Sequence, residues 1–85
     1  MPEIRVTIDR DDRRSRAVVT SLTALDAEVE VRDARDDEDA AAFLARLVCC
    51  GPVTPVVEVH GLVLTAPTPA EALLAVRRAN PLLVG

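Results

Sequence analysis

The side chains of this chain that could do chemistry fall into three groups. Cys49 and Cys50 are adjacent, and they are the only thiols. Neighbouring α-carbons across a trans peptide lie about 3.8 Å apart, short of the roughly 4.4–6.8 Å of a disulfide, so a bond between them would be strained and easily reduced. On helical spacing they cannot both face inward. One is expected to be buried and one partly exposed, and these two are the candidate thiols for any redox chemistry. His60 precedes Gly61 and reads as a turn residue. It stands about 17 Å along an extended strand from Pro55, too far to complete a metal site with Cys50. Two cysteines alone leave zinc-type coordination incomplete, so no metal site is expected.

The third group is Asp12-Arg13-Arg14-Ser15-Arg16. An aspartate ahead of an apolar-periodic segment is a good helix cap, and a serine hydroxyl has no redox chemistry. Arg13, Arg14 and Arg16 oppose the helix dipole in a first turn, a small penalty that Asp11 and Asp12 partly offset. They are candidates for contact with an anion or a protein partner, because guanidinium groups pair well with carboxylate and phosphate. The alternative is a mixed-charge face in water.

Composition narrows the classes of function. Eighty-five residues make one domain, here residues 1–85, and 49% of them are apolar, enough for a core without metal or disulfide staples. One Phe and no Tyr or Trp argue against base stacking. A net charge of −4 with ten Arg and no Lys gives no general attraction to nucleic acid. No apolar run is long enough to span a bilayer, and the start of the chain alternates polar and apolar residues, so neither a membrane anchor nor a signal peptide is expected. Two adjacent cysteines form no secreted disulfide framework, which makes the cytoplasm the expected compartment.

Local patterns set the elements that must position these residues. Ile4, Val6 and Ile8 alternate with Arg5, Thr7 and Asp9, a strand in which Arg5 is expected near an end. Asp11 or Asp12 then caps a helix with Ala17, Val18, Val19, Leu22 and Leu25 on its apolar stripe. Val29 and Val31 mark a second strand. The acidic run Asp36–Asp39 starts a second helix through Phe43, Leu44, Leu47 and Val48, ending near Gly51-Pro52. Val56–Val59, His60-Gly61 and Leu62–Leu64 form a hairpin. Thr68-Pro69-Ala70-Glu71 is a capping box for a last helix, with Leu73, Leu74 and Val76 inward and Asn80-Pro81 at its end. The apolar tail Leu82-Leu83-Val84 is expected to fold back or to meet a second copy, giving a homodimer. The order is β-α-β-α-β-β-α, with a parallel first pair joined by a right-handed crossover.

Thr54-Pro55-Val56-Val57-Glu58-Val59-His60-Gly61, with the element order around it, resembles the strand that flanks the active site of glutaredoxins. The resemblance implies an α/β thioredoxin-like fold of glutaredoxin type, a four-stranded mixed sheet with helices on both faces. It implies a cis peptide at Pro55 and a peptide-binding loop over Val53, Thr54 and Pro55. In that family a Cys-x-x-Cys pair opens the first helix, and the matching positions here are Asp12 and Ser15. Where the family holds a glutathione carboxylate on backbone amides, this chain reads Thr65-Ala66-Pro67-Thr68-Pro69, and its prolines remove two donors. The expectation is a redox-inactive member without cofactor or glutathione, binding an unknown protein. The alternative is a thiol–disulfide oxidoreductase working through Cys49 or Cys50.

Overall fold

The computed structural model describes residues 3–25, 27–47 and 54–79. Its elements are β1 (Ile4–Ile8), α1 (Arg13–Thr23), β2 (Val29–Asp33), α2 (Glu38–Leu47), β3 (Val56–Val59), β4 (Leu62–Thr65) and α3 (Pro69–Ala79). The four strands form one mixed sheet in the order β2-β1-β3-β4. β1 runs parallel to β2 and antiparallel to β3, and β3 runs antiparallel to β4. The chain is therefore a small α/β domain with the element order that the sequence predicts. Val48, Cys49, Cys50, Gly51, Pro52, Val53, Asn80, Pro81 and the tail Leu82–Val84 lie outside the described residues.

Strand periodicity divides the sheet into two unlike faces. Ile4, Val6, Ile8, Val57 and Val59 project to one side and pack with Val18 and Leu22 of α1 and Ala72 and Val76 of α3. This is the core, and all nine side chains are buried. The other side carries Arg5, Thr7, Glu30, Arg32, Val56 and Glu58. α2 covers part of it. The Arg32 guanidinium carbon lies 5.5 Å from the centre of the Phe43 ring, and Arg32 Nη2 donates to Thr7 Oγ1 at 3.2 Å. Thr7 and Val56 are fully buried there, as is Ala40 of α2.

Arg5 is the second residue of β1, near the end of its strand as the pattern predicts. It sits in the middle of the sheet between Glu30 on β2 and Glu58 on β3, with its Nε 3.4 Å from Glu30 Oε1. Carboxylates stand opposite it on both neighbouring strands, a charge order that suits an arginine at this position. The helix stripes differ from expectation. Ala17 and Leu74, both expected inward, are exposed, Leu74 by 47%. α1 and α3 pack side by side as well as onto the sheet. On α3 the small residues Ala72 and Ala75 are buried, and Ala72 and Val76 pack with Val18 and Leu22 of α1.

Each helix start is fixed chemically. The Asp37 carboxylate accepts from the amides of Asp39 and Ala40 at 2.9 and 3.1 Å and caps α2 within the acidic run. At α3 the Thr68 amide donates to Glu71 Oε1 at 2.9 Å and the Glu71 amide donates to Thr68 Oγ1 at 3.2 Å, a complete capping box. The β3–β4 hairpin turns on His60 at φ 46° and Gly61 at φ 81°, a two-residue loop with both residues left-handed.

A side chain at Gly61 would meet no atom within 4 Å, so any cost there comes from backbone conformation alone. Gly61→Val is expected to lower the unfolding free energy by about 1–2 kcal/mol, the cost of holding a β-branched residue left-handed. His60→Asn is expected to raise it by a few tenths, because Asn tolerates that region better. Urea unfolding of the two variants checks both signs.

Candidate functional site

The site gathers where the tip of α1 meets the segment entering β3. Asp12 is the N-cap of α1, with extended backbone and one carboxylate oxygen accepting from the Arg14 amide at 3.1 Å. Its other oxygen, Oδ2, accepts from the Ser15 hydroxyl at 3.0 Å and from the Thr54 hydroxyl at 3.1 Å. Ser15 is fully buried, so its hydroxyl depends on that bond. Thr54 stands 42 residues away in sequence, and its peptide bond to Pro55 is cis. Asp12, Ser15, Thr54 and Pro55 are thus brought together. Val53, Cys49 and Cys50, also candidates, lie outside the described residues.

The arginines divide. Arg14 Nη1 donates to the Ala66 carbonyl at 3.0 Å, tying α1 to the turn between β4 and α3. Arg13 is exposed and lines a groove of about 580 Å³ with Asp12, Arg14, Ala17, Thr54, Ala66 and Pro69. Arg16 is exposed but does not line the groove. His60 lies at the β3–β4 turn and lines a different, smaller hollow of about 220 Å³ with Glu3, Arg5 and Glu58. Among the described residues no cluster of three or more His, Cys, Asp or Glu is placed to hold a metal ion, and no helix is long and apolar enough to cross a membrane.

Two groove residues were not legible as such. Ala66 adopts φ 48°, its amide donates to the Pro55 carbonyl at 2.8 Å, and its carbonyl receives Arg14. Alanine carries no signal for a left-handed position, so nothing in the sequence could mark this junction. Ala17 looked like a stripe residue and instead forms groove wall. Thr68 and Glu71 behave as their pattern predicts: each satisfies the other's backbone amide, so neither amide remains for an outside ligand.

Electrostatics reinforce the frame around the groove. The Thr68 amide and then its hydroxyl hold the Glu71 carboxyl below its ordinary value, with Arg14 adding to the shift. On the far side of the α1 tip, the Asp11 amide and then the Arg35 side chain hold Asp9 low. Arg35 also pairs with Asp11, and Arg10 bridges Asp33 and Asp36. These pairs tie the β1–α1 loop to the β2–α2 loop.

No family model matches the chain, and neither a curated protein nor a solved structure matches it. The geometry of the site has to carry the functional reading.

Asp12→Ala is expected to cost about 1–2 kcal/mol, since it removes a cap and strands two hydroxyls. Thr54→Val is expected to cost about 1 kcal/mol through the same carboxylate. A double-mutant cycle on urea midpoints should return a coupling of about 1 kcal/mol, and additive effects would refute the contact. Acid supplies a separate prediction. Because Glu71 and Asp9 titrate below their ordinary values when folded, the stability they contribute is present at neutral pH. It is lost as pH falls through those depressed values, from about pH 4 downward. Glu71→Gln keeps the box geometry and removes the titration, so its urea midpoint should fall less steeply with acid than that of the parent protein.

Proposed function

We propose that this chain is a glutaredoxin-like module of thioredoxin fold, without a dithiol at the helix tip, that binds an extended segment of a protein partner. The single observation that carries the reading is the double use of Asp12 Oδ2. The two oxygen-bearing side chains at the positions that the resemblance assigns to thiols, Asp12 and Ser15, bond to each other and, through Asp12, to Thr54. They hold structure together: the Ser15 hydroxyl is buried and spent on Asp12. The sheet order, with α1 and α3 on one face and α2 reaching the other, supports the fold assignment. The groove supports the binding role: its walls are Ala17, Ala66 and Pro69, and Arg13 stands exposed at its rim. An extended backbone with small side chains and an acidic residue suits that lining. With Thr68 and Glu71 satisfying each other, and prolines at 67 and 69, the turn before α3 is a poor holder of glutathione.

The test combines turnover and binding. Insulin reduction driven by glutathione and glutathione reductase should not exceed the protein-free rate. Peptides selected from a random display library should shift the amide resonances of Arg14, Ala17 and Ala66, and Arg13→Glu should weaken acidic ones by tenfold or more. Turnover that disappears in Cys49→Ser or Cys50→Ser would replace this reading with the oxidoreductase one.

A further inference from the structure

We infer that a second copy of this chain pairs antiparallel along the free edge of β2, joining two four-stranded sheets into one of eight. The inference does not rest on the groove.

Among the described residues β2 is the outer strand, next to β1. Along the β1–β2 ladder, the Ile4 amide donates to the Glu28 carbonyl and the Ala34 amide donates to the Ile8 carbonyl. Backbone groups alternate in direction, so Glu30 and Arg32 also turn toward β1, and Val29, Val31 and Asp33 turn their amides and carbonyls to the open edge. Val31 is 41% exposed there.

Charged residues on an edge strand normally keep other chains away. Here their order makes the edge complementary to itself. Placing Val31 opposite the partner's Val31 puts Glu30 against the partner's Arg32, and by symmetry Arg32 against the partner's Glu30. Those two are non-hydrogen-bonded pairs, in which opposed side chains approach closest. The outward-turned residues then meet one another. The two Val31 residues exchange both backbone bonds, and each Asp33 amide reaches the partner's Val29 carbonyl. The Asp33 carbonyl takes no part, because it already accepts from the amides of Asp36 and Asp37. A shift of two residues in either direction opposes Glu30 to Glu30 or Arg32 to Arg32, so charge selects a single register.

The same register continues a pattern already laid across the sheet. Glu58, Arg5 and Glu30 stand side by side on β3, β1 and β2, alternating in sign. The partner's Arg32 would be the next position in that row. Arg32 already spends one nitrogen on Thr7, and a guanidinium carries further donors for an incoming carboxylate. The opposite edge, β4, offers Leu62, Val63, Leu64 and Thr65, with no charge to fix a register.

Two five-residue strands make a small contact, so association should be weak and concentration-dependent, becoming visible toward about 1 mM. Sedimentation equilibrium on the full chain is the test, with circular dichroism to confirm that each variant is folded. Wild type is expected to pass from monomer to dimer with concentration. Val31→Pro removes only an outward amide, which an edge strand tolerates, and should leave a folded monomer. Arg32→Glu should weaken the dimer at least tenfold by opposing like charges, and Glu30→Arg combined with Arg32→Glu should restore it. A wild-type chain that stays monomeric throughout would overturn the inference. So would a dimer that Val31→Pro leaves intact, which would assign association to β4 or to the C-terminal tail.

Discussion

The carboxylate of Asp12 is the constraint on which this structure turns. One side chain caps α1, satisfies the buried hydroxyl of Ser15 and reaches the segment that enters β3 through Thr54. Those three tasks fix where α1 starts and how far its tip stands from the loop at Pro55. The groove exists because that gap is held at a set width. Arg14 closes the frame from the other side by bonding the Ala66 carbonyl, so the helix tip is anchored to both segments that flank it.

The two faces of the sheet solve different problems. The face under α1 and α3 is a dry core of Val, Ile, Leu and Ala, with no aromatic ring to fill volume. Small residues let the two helices approach each other and the sheet, which keeps an 85-residue domain closely packed. The opposite face carries charge in its middle and relies on one ring, Phe43, with Thr7 and Arg32 beneath α2. Alternating signs across neighbouring strands keep Arg5 and its flanking glutamates compatible with partial burial. Charge rather than bulk organises that side.

Features that depend on a few adjacent residues were the legible ones. The capping box at Thr68–Glu71, the acidic start of α2, the His60-Gly61 turn and the aspartate cap of α1 each follow from the chemistry of neighbouring positions. What escaped depends on partners distant in sequence. Ala17 and Leu74 fit an apolar stripe, but the closeness of α1 to α3 decides which residues face inward. At the site, Asp12 and Thr54 could each be picked out, whereas the bond between them is a tertiary fact. Ala66 had no local signature at all.

The Asp12 junction also constrains how this scaffold could change. A residue that is to react must be able to leave its resting contacts at little cost, and position 12 is already committed to three donors. Replacing that carboxylate with a sulfur nucleophile would loosen the helix tip, orphan an interior hydroxyl and release the proline loop, all before any new reaction began. Acquiring reactivity there would thus require the neighbouring polar groups to be rebuilt first. Substitutions at Ser15 and Thr54 would have to precede any useful change at the cap itself.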